Sequence, residues 1–186
     1  DGSDADIVIS SRVRLARNLA DFPFCSRADE AQRRDIENKL RNAISDIKEN
    51  QNLVFFDVGR LDDLDRQFLV ERQLISRELA SGQGSRSVAI APREDISLMV
   101  NEEDHLRLQV LHSGYSVRQC WETVNRLDDL VEETVTFAYS EEFGYLTACP
   151  TNVGTGMRAS VMLHLPALSM TKQIDRVFRA LQKIQL

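Results

Sequence analysis

The sequence has 186 residues, of which 42% are hydrophobic, so it is long enough for one hydrophobic core and short for two. Its formal net charge of −6 excludes the broad basic surface that nucleic-acid binding requires, so we expect no nucleic-acid partner. No apolar run reaches the length of a membrane span and the acidic start is not a signal peptide, so we expect no membrane partner.

The three cysteines, Cys25, Cys120 and Cys149, are far apart, and none forms a C-x-x-C pair. An odd number at this spacing indicates neither a disulfide framework nor a zinc site, and no metal ligands are predicted. The cysteines therefore favour a reducing compartment, and we expect a cytoplasmic protein.

The first predicted strand covers residues 7–15 and alternates with period two. Its apolar face consists of Ile7, Ile9, Val13 and Leu15, and its polar face of Ser10, Arg12 and Arg14. Such a polar face either meets water or binds an anion, because each guanidinium offers a planar fork of donors that matches phosphate oxygens. The spacing alone leaves both possibilities open.

A predicted amphipathic helix follows the first strand. Ser26–Asp29 resembles a capping box, and the apolar positions after it, at helical spacing, are Ile36, Leu40, Ile44 and Ile47. Further along we expect a strand over residues 53–58, a second helix over 61–74, a flexible loop over 80–85 and a strand over 87–91.

The most unusual stretch is an acidic segment between two more predicted strands. It contains Glu102, Glu103 and Asp104, followed by His105 and Arg107. If strand geometry continues through it, Glu103 and His105 share one side, and the other two acids share the opposite side. One acid can then face a cleft while its neighbours hold the turn. The alternative is an ordinary solvated hairpin tip.

The second half of the chain is predicted to add a helix, a strand and a final helix. A helix capped at Ser116 has the buried stripe Cys120, Val124, Leu127 and Val131, and Trp121 is also expected to pack in the core. A turn-rich connection over residues 144–156 leads to a strand over 157–164 and a helix over 168–186. A domain that stops on a core-facing helix is expected to continue in its parent chain.

The turn-rich connection contains two features that need interpretation. Gly154-Thr155-Gly156 lacks a third glycine and precedes a strand, so it is not a dinucleotide-binding fingerprint. Cys149, which precedes Pro150, is either a small buried hydrophobe or a thiolate held near a cation.

Three segments resemble, in order and spacing, the signature segments of the ATP:guanidino phosphotransferases, the family of the arginine and creatine kinases and their bacterial relatives. They are residues 9–14, 100–107 and 149–161. The resemblance covers nearly the whole chain, so residues 1–186 are expected to be part of one catalytic domain. Within the family, the chain most resembles the bacterial members that phosphorylate arginine side chains of other proteins.

The resemblance implies an α+β fold, in which an antiparallel β-sheet is backed by α-helices as in the glutamine-synthetase-like catalytic domain of guanidino kinases. It implies ATP and Mg²⁺ as the nucleotide and its metal. The residues that would bind the ATP phosphates are Ser10, Arg12, Arg14, Arg107 and Arg158. Glu103 would engage the guanidinium as the catalytic carboxylate, and Cys149 would lie beside it.

The resemblance also implies partners. These are protein substrates carrying arginine, and further candidates are an activator protein, a stress-response repressor and a Clp-type protease. Two alternatives stay open: a kinase for free arginine or another small guanidine, and a catalytically silent adaptor that binds nucleotide or phosphoarginine.

One family segment has no counterpart before Leu186. It is a Gly-rich R-G-x-x-G-E-like loop, which supplies the family's last phosphate-binding arginine and a second catalytic glutamate. The chain as given is therefore expected to bind nucleotide without completing the transfer.

Overall fold

A six-stranded antiparallel sheet organises the fold, and the computed structural model describes residues 2–47 and 52–183. Its strands are β1 (Val8–Arg17), β2 (Val54–Asp57), β3 (Ser87–Ile90), β4 (Ile96–Val100), β5 (Leu106–Ser113) and β8 (Met157–Leu163). Their order is β2-β3-β4-β5-β1-β8. A separate two-stranded hairpin is formed by β6 (Tyr139–Ser140) and β7 (Gly144–Tyr145).

Six α-helices accompany the sheet within the described residues. They are α1 (Glu30–Ser45), α2 (Asp63–Glu71), α3 (Arg77–Ser81), α4 (Val117–Glu132), α5 (Pro166–Met170) and α6 (Ile174–Lys183). In the described part of the chain, no helix is both long and apolar enough to cross a membrane. The expected α+β fold, an antiparallel sheet backed by helices, is confirmed.

One face of the sheet is covered by α1 and α4. Leu40 of α1 and Val124 of α4 belong to the same buried cluster as Val13, Leu98 and Leu108 on three neighbouring strands. Burying these side chains removes apolar surface from water, which is the main favourable term in folding. This cluster therefore forms the main core and fixes the positions of β1, β4 and β5.

The opposite face is only partly covered. Leu69 of α2 and Leu79 of α3 pack on Val88, Ile90 and Met99 at the β3–β4 side of the sheet. The rest of this face, on β5, β1 and β8, has no such helix over it among the described residues and carries polar side chains. The part of this face on β5, β1 and β8 is therefore open and polar, whereas the part on β3 and β4 is covered and apolar.

The alternation predicted for β1 is confirmed over its central residues. Val13 and Leu15 are buried in the core, while Arg12 and Arg14 are half-buried on the opposite face. The prediction is wrong for Ile7 and Ile9, which are 49% and 47% exposed. A register shift against β8 between Val8 and Ser10 interrupts the alternation at this end of the strand.

The first residue of α1 is determined by the capping residue that precedes it. The capping box uses Asp29 as the N-cap and Gln32 as its partner, three residues after the predicted Ser26. Ile36, Leu40 and Ile44 are buried, as the spacing predicted. At the start of α4, Ser116 makes no side-chain cap, contrary to expectation.

Two predicted helices are interrupted. The helix expected over residues 61–74 ends at Glu71, because Gln73 adopts a left-handed φ of 61° that no helix continues through. The helix expected over 168–186 is divided into α5 and α6 by Lys172, with a φ of 55°, and residues 184–186 lie outside the described residues. Trp121 is 44% exposed, so its predicted core role is also wrong.

The packing of the central strands predicts a large stability loss on truncation. Leu108→Ala, at a fully buried position of β5, is expected to lower the free energy of unfolding by about 2–5 kcal/mol, through lost burial and a residual cavity. Leu64→Ala, at a position that is 75% exposed, is the matched control, expected to change it by less than about 0.5 kcal/mol. Urea denaturation measures both, and similar values for the two variants would contradict this packing.

Candidate active site

A cleft of about 460 Å³ lies on the open half of the sheet. It brings together five of the seven predicted site residues, namely Arg14, Glu103, Arg107, Cys149 and Arg158. The other two lie further along the polar face of β1. Ser10 is half-buried opposite Ser113, and Arg12 donates from Nε to Ser160 Oγ at 3.4 Å.

The cationic side of the cleft is built by strand register. Arg14 of β1 and Arg158 of β8 are direct partners across the antiparallel pair, and Arg107 of β5 faces Ala16 two residues along β1. Like charges placed opposite each other on a sheet are destabilising. The three guanidinium groups on adjacent strands therefore repel one another, and a bound anion would relieve this repulsion.

Burial and the crowding of like charges lower the pKa values of two arginines on this face. The pKa of Arg14 is lowered to about 10, first by burial and then by the charges of Arg12, Arg107 and Arg158. The pKa of Arg12 is lowered by burial and by the same neighbours on β8 and β5. An anion in the cleft would stabilise the charged form of both guanidinium groups.

The acidic segment is a turn and not a continued strand. Asn101 has a φ of 57°, and its amide donates to the carbonyls of Arg33 at 2.7 Å and Ser85 at 2.9 Å. The predicted pairing of Glu103 and His105 on one side is wrong, since Glu103 is exposed and His105 is fully buried. Glu102 and Glu103 both line the cleft, and Glu102 and Asp104 make the contacts that hold the turn.

Glu102 is the acid that holds the cationic side in place. Its side chain is 1% exposed and pairs with Arg107 Nη1 at 2.6 Å. The same Oε1 atom accepts from Ser76 Oγ at 2.5 Å, and Oε2 accepts from the backbone N–H of Glu103 at 2.9 Å. Both carboxylate oxygens are thus engaged, and Glu102 fixes Arg107 at the wall of the cleft.

Glu103 is the acid available to a ligand. Its side chain is 46% exposed, and its contact with Arg107 Nη2 is long, at 3.5 Å. Its pKa is raised, first by burial and then by the charges of Asp104, Glu102 and Glu78, while Arg107 lowers it. Glu103 therefore presents a carboxylate to the cleft directly beside the arginines.

Asp104 joins the acidic turn to the loop that carries Cys149. Its Oδ1 atom accepts from Asn18 Nδ2 at 2.6 Å and from the backbone N–H of Ala148 at 2.7 Å. His105 supports the same turn, because its Nδ1 accepts from the Leu19 N–H at 3.0 Å and Nε2 donates to a backbone carbonyl. Burial lowers the pKa of His105, which keeps the ring neutral. Sequence reasoning missed this network, because its members are unremarkable polar residues far apart in the chain.

Cys149 lies in the cleft at the start of a short 3₁₀ turn, Pro150–Asn152. It is half-buried, with its sulfur 3.0 Å from Thr151 Oγ1, whereas Cys25 and Cys120 are buried. All three thiols are free. Cys149 is therefore not the fully buried hydrophobe of the first reading.

The cleft also contains residues that the sequence did not single out. Glu78 of α3, Thr151 and Asn152 line it together with the predicted set. A larger groove of about 750 Å³ lies beside Trp121 of α4, but it lacks a cluster of converging charges. No group of three or more potential metal-ligating side chains occurs within residues 2–47 and 52–183.

The three thiols are expected to react at different rates. Cys149 should be alkylated by iodoacetamide at least about tenfold faster than the others, because the thiolate is the reactive form and must be accessible. Burial raises the pKa of Cys25 to about 12 and raises that of Cys120 as well. Time-resolved mass spectrometry of the native protein measures the three rates. The core reading of Cys149 is correct if Cys149 is the slowest.

The titration of Glu103 is expected to depend on Arg107. Arg107→Met should raise the pKa of Glu103 further, because it removes the cation that favours the ionised carboxylate. NMR titration of the glutamate side-chain carbons measures the shift. Arg60→Met is the control, since that guanidinium pairs with Asp57, and it should leave the pKa of Glu103 unchanged. A lowered pKa in the Arg107 variant would contradict the assigned geometry.

Comparison with solved structures places this fold among guanidino kinases. A duplicated taurocyamine kinase from Schistosoma mansoni with bound transition-state analogue components superposes with a TM-score of 0.81 at 25% identity, covering 92% of this chain and 25% of that one. A lombricine kinase has a TM-score of 0.82 at 22% identity, covering 96% of this chain and 54% of that one, and shows the shared fold.

Sequence comparison gives closer relatives. The chain is 50% identical to a protein-arginine kinase of Symbiobacterium thermophilum and 46% identical to one of Halothermothrix orenii, covering 100% of this chain and 53% of each relative. It thus spans about half the length of the curated relatives it matches. Residues 35–186 match the ATP:guanido phosphotransferase C-terminal catalytic domain. The matched region is most of the chain and contains the acidic turn, Cys149 and Arg158, so the chain belongs to the ATP:guanido phosphotransferase family.

Proposed function

We propose that the protein to which this chain belongs transfers the γ-phosphoryl group of ATP to a guanidinium nitrogen of arginine side chains in other proteins. The observation that carries the proposal is a single cleft in which a cluster of arginines adjoins an available carboxylate. The cationic side fits a polyphosphate, and the carboxylate fits a guanidinium. The two reactants would therefore meet at the boundary between them.

The arginine side is the proposed nucleotide site. Phosphoryl transfer depends mainly on positioning and on neutralising charge on the transferred group. Arg14, Arg107 and Arg158 lie on adjacent strands of one rigid sheet, so their guanidinium groups are already placed before ATP arrives. Ser10 and Arg12 extend the same face toward the remaining phosphates.

Mg²⁺ is proposed to enter with ATP. This ion keeps several waters and is usually bound through one or two carboxylates and substrate phosphates instead of a full protein cage. It supplies additional positive charge on the phosphate oxygens. The protein's own part is to hold those oxygens with the arginines of β1, β5 and β8.

Glu103 is the proposed partner of the substrate guanidinium. Deprotonating a free guanidinium outright with an ordinary carboxylate would cost on the order of 11 kcal/mol, given pKa values above roughly 12 and near 4. We therefore propose that Glu103 first orients the reacting nitrogen through charge-assisted hydrogen bonds. As the N–P bond forms and the bond from phosphorus to the leaving ADP oxygen breaks, Glu103 takes the proton from that nitrogen.

The raised pKa of Glu103 assists this proton transfer, because a more basic carboxylate is a better proton acceptor. It also sets a limit on pH, since the ionised form is lost as the pH falls through the raised value. Cys149 is proposed to contact the guanidinium from the other loop of the cleft. Its sulfur would help to hold the planar group in line with the phosphate.

The substrate class, source, location and partners of the whole protein are also proposals. Names of relatives at 43–50% identity support protein-bound arginine as the substrate class, a bacterial source and a transferase function. We propose that residues 1–186 are part of one catalytic domain and that the protein is cytoplasmic, which agrees with three free thiols. An activator protein, a stress-response repressor and a Clp-type protease are the partners that we propose to test first.

The alternatives make different demands on the cleft. A kinase for free arginine uses the same groups but must close around a small molecule, while a protein kinase must leave the cleft open to a side chain on a backbone. An adaptor binds without transfer. The availability of Glu103 beside the phosphate site favours catalysis over simple binding, because a carboxylate there repels the phosphates of a nucleotide that is only bound.

The test compares Glu103→Gln with the wild-type full-length protein. The variant keeps the shape of the side chain but loses its charge, so ATP affinity should stay within about twofold while transfer to a denatured protein falls at least about a hundredfold. Arg158→Met should instead weaken ATP binding by about tenfold or more, because it removes a charge-assisted contact. Calorimetry measures binding, and mass spectrometry under non-acidic conditions measures phosphoarginine.

Glu71→Gln, on the outer surface of α2, is the matched control and should behave as wild type. Full transfer by the Glu103 variant would show that another group accepts the proton. Preferential transfer to free arginine would favour the small-guanidine kinase. ATP binding by the wild-type protein without any product would favour the adaptor.

A further inference from the structure

The loop that carries Cys149 has a narrow neck. Tyr145 and Gly154 pair through two backbone hydrogen bonds, from Tyr145 N–H to Gly154 C=O at 2.8 Å and back at 3.3 Å. Cys149 lies between these two positions, toward the tip of the loop. A group that fixes the neck therefore restricts where the sulfur can lie in the cleft.

Arg17, at the end of β1, packs directly against this neck. Its Nη1 atom donates to the carbonyl of Thr155 at 3.0 Å and to that of Ala16 at 2.9 Å. The central carbon of its guanidinium lies 3.5 Å from the centre of the Tyr145 ring, a cation–π contact. One guanidinium thus contacts both sides of the neck.

The other edge of the same guanidinium is anchored to α4. Arg17 Nη2 and Nε donate to Asp128 Oδ2 at 2.6 and 3.1 Å. Arg17 is 3% and Asp128 is 4% exposed, so the pair is shielded from water and salt. Among the described residues, Asp128 Oδ1 has no hydrogen-bond partner, and Oδ2 accepts from Arg17. The neck is thereby fastened to a helix of the main core.

The chain just after the neck packs closely against Arg17. Gly156 has a φ of 61°, and a Cβ added there would lie 2.6 Å from both Arg17 Nη1 and the Ala16 carbonyl oxygen. The Gly156 carbonyl also accepts from the Ala16 N–H at 2.8 Å. Arg158, which faces the phosphate site, follows only two residues later. A displaced Arg17 would shift Cys149 and Arg158 together.

We propose that Arg17 is a positioning residue for phosphoryl transfer, which holds the Cys149 loop and the start of β8 in register with Glu103. This inference rests on the proposed function, and Arg17 acts through the loop without touching either reactant. An arginine is required because its planar fork contacts a carboxylate, two carbonyls and a ring at once, which the single point charge of a lysine cannot do. A residue that only stabilised the fold would affect folding and activity in parallel.

The test removes the ion pair in a way that spares the fold. Arg17→Met alone leaves Asp128 buried without its partner, which is strongly destabilising, whereas replacing both partners by apolar residues is often neutral. In the full-length protein, Arg17→Met/Asp128→Leu should therefore keep a denaturation midpoint close to that of the wild type. Its kcat should nevertheless fall by about tenfold to a hundredfold, because small misplacements of reacting groups are costly. Cys149 should be alkylated at least about threefold faster, because the released neck exposes the thiol.

Arg17→Lys is a second variant, and Arg41→Met is a control. Arg17→Lys keeps the buried charge, so it should fold while showing a lowered kcat and faster alkylation of Cys149. Arg41→Met is the control, because Arg41 also combines an ion pair, with Glu37 at 3.3 Å, and an aromatic ring, Phe55 at 4.8 Å, but it lies on α1. It should match the wild type in both measurements.

The outcomes separate the two proposals. Wild-type kcat and alkylation in the folded double variant, or in Arg17→Lys if the double variant does not fold, would overturn the role of Arg17. A lowered kcat with unchanged alkylation would also overturn it, because the effect would not pass through the loop. If the wild-type protein shows no transfer, the proposed function fails, and the alkylation rates still decide whether Arg17 holds the loop.

Discussion

The alternation of side chains from Ser11 to Leu15 of β1 is the constraint on which the rest of the structure depends. Val13 and Leu15 point into the main core, and Arg12 and Arg14 point to the opposite face. Since β1 lies between β5 and β8, the same strand organises both the packing of the sheet and the placement of the cationic groups. A shift of one residue would exchange the two sets and destroy the core and the cleft together.

The neighbouring acids have different roles because their surroundings differ. Glu102 is enclosed and saturated by Arg107 and Ser76, so its charge is used to hold a cation in place. Glu103 stays accessible, and burial together with nearby carboxylates raises its pKa. Asp104 uses its charge to join two loops. The three consecutive acids thus have three roles. Glu102 holds Arg107, Glu103 is available to a ligand, and Asp104 connects two loops.

The fold and much of the cleft could be predicted where the controlling interactions are local. The period of β1 placed Arg14 correctly, because alternation needs only adjacent residues. The turn between β4 and β5 was predicted, but the side-chain directions within it were not, because the left-handed Asn101 ends the strand geometry and donates to carbonyls distant in sequence. No sequence pattern marked Arg17 as a functional residue, because its partners Asp128 and Thr155 lie 111 and 138 positions away. The resemblance to a known family supplied the proposed roles, which the local patterns left open.

The central place of β1 has a consequence for how the protein folds during synthesis. This strand precedes both of its neighbours in the chain, and those neighbours extend to Ser113 and Leu163. One edge stays without its native partner until β5 is made and the other until β8 is made, and closing such long loops slows folding. A nascent strand with exposed edges is prone to pair with other chains. The arginines on β1 reduce this hazard, because their mutual repulsion disfavours stacking of identical strands.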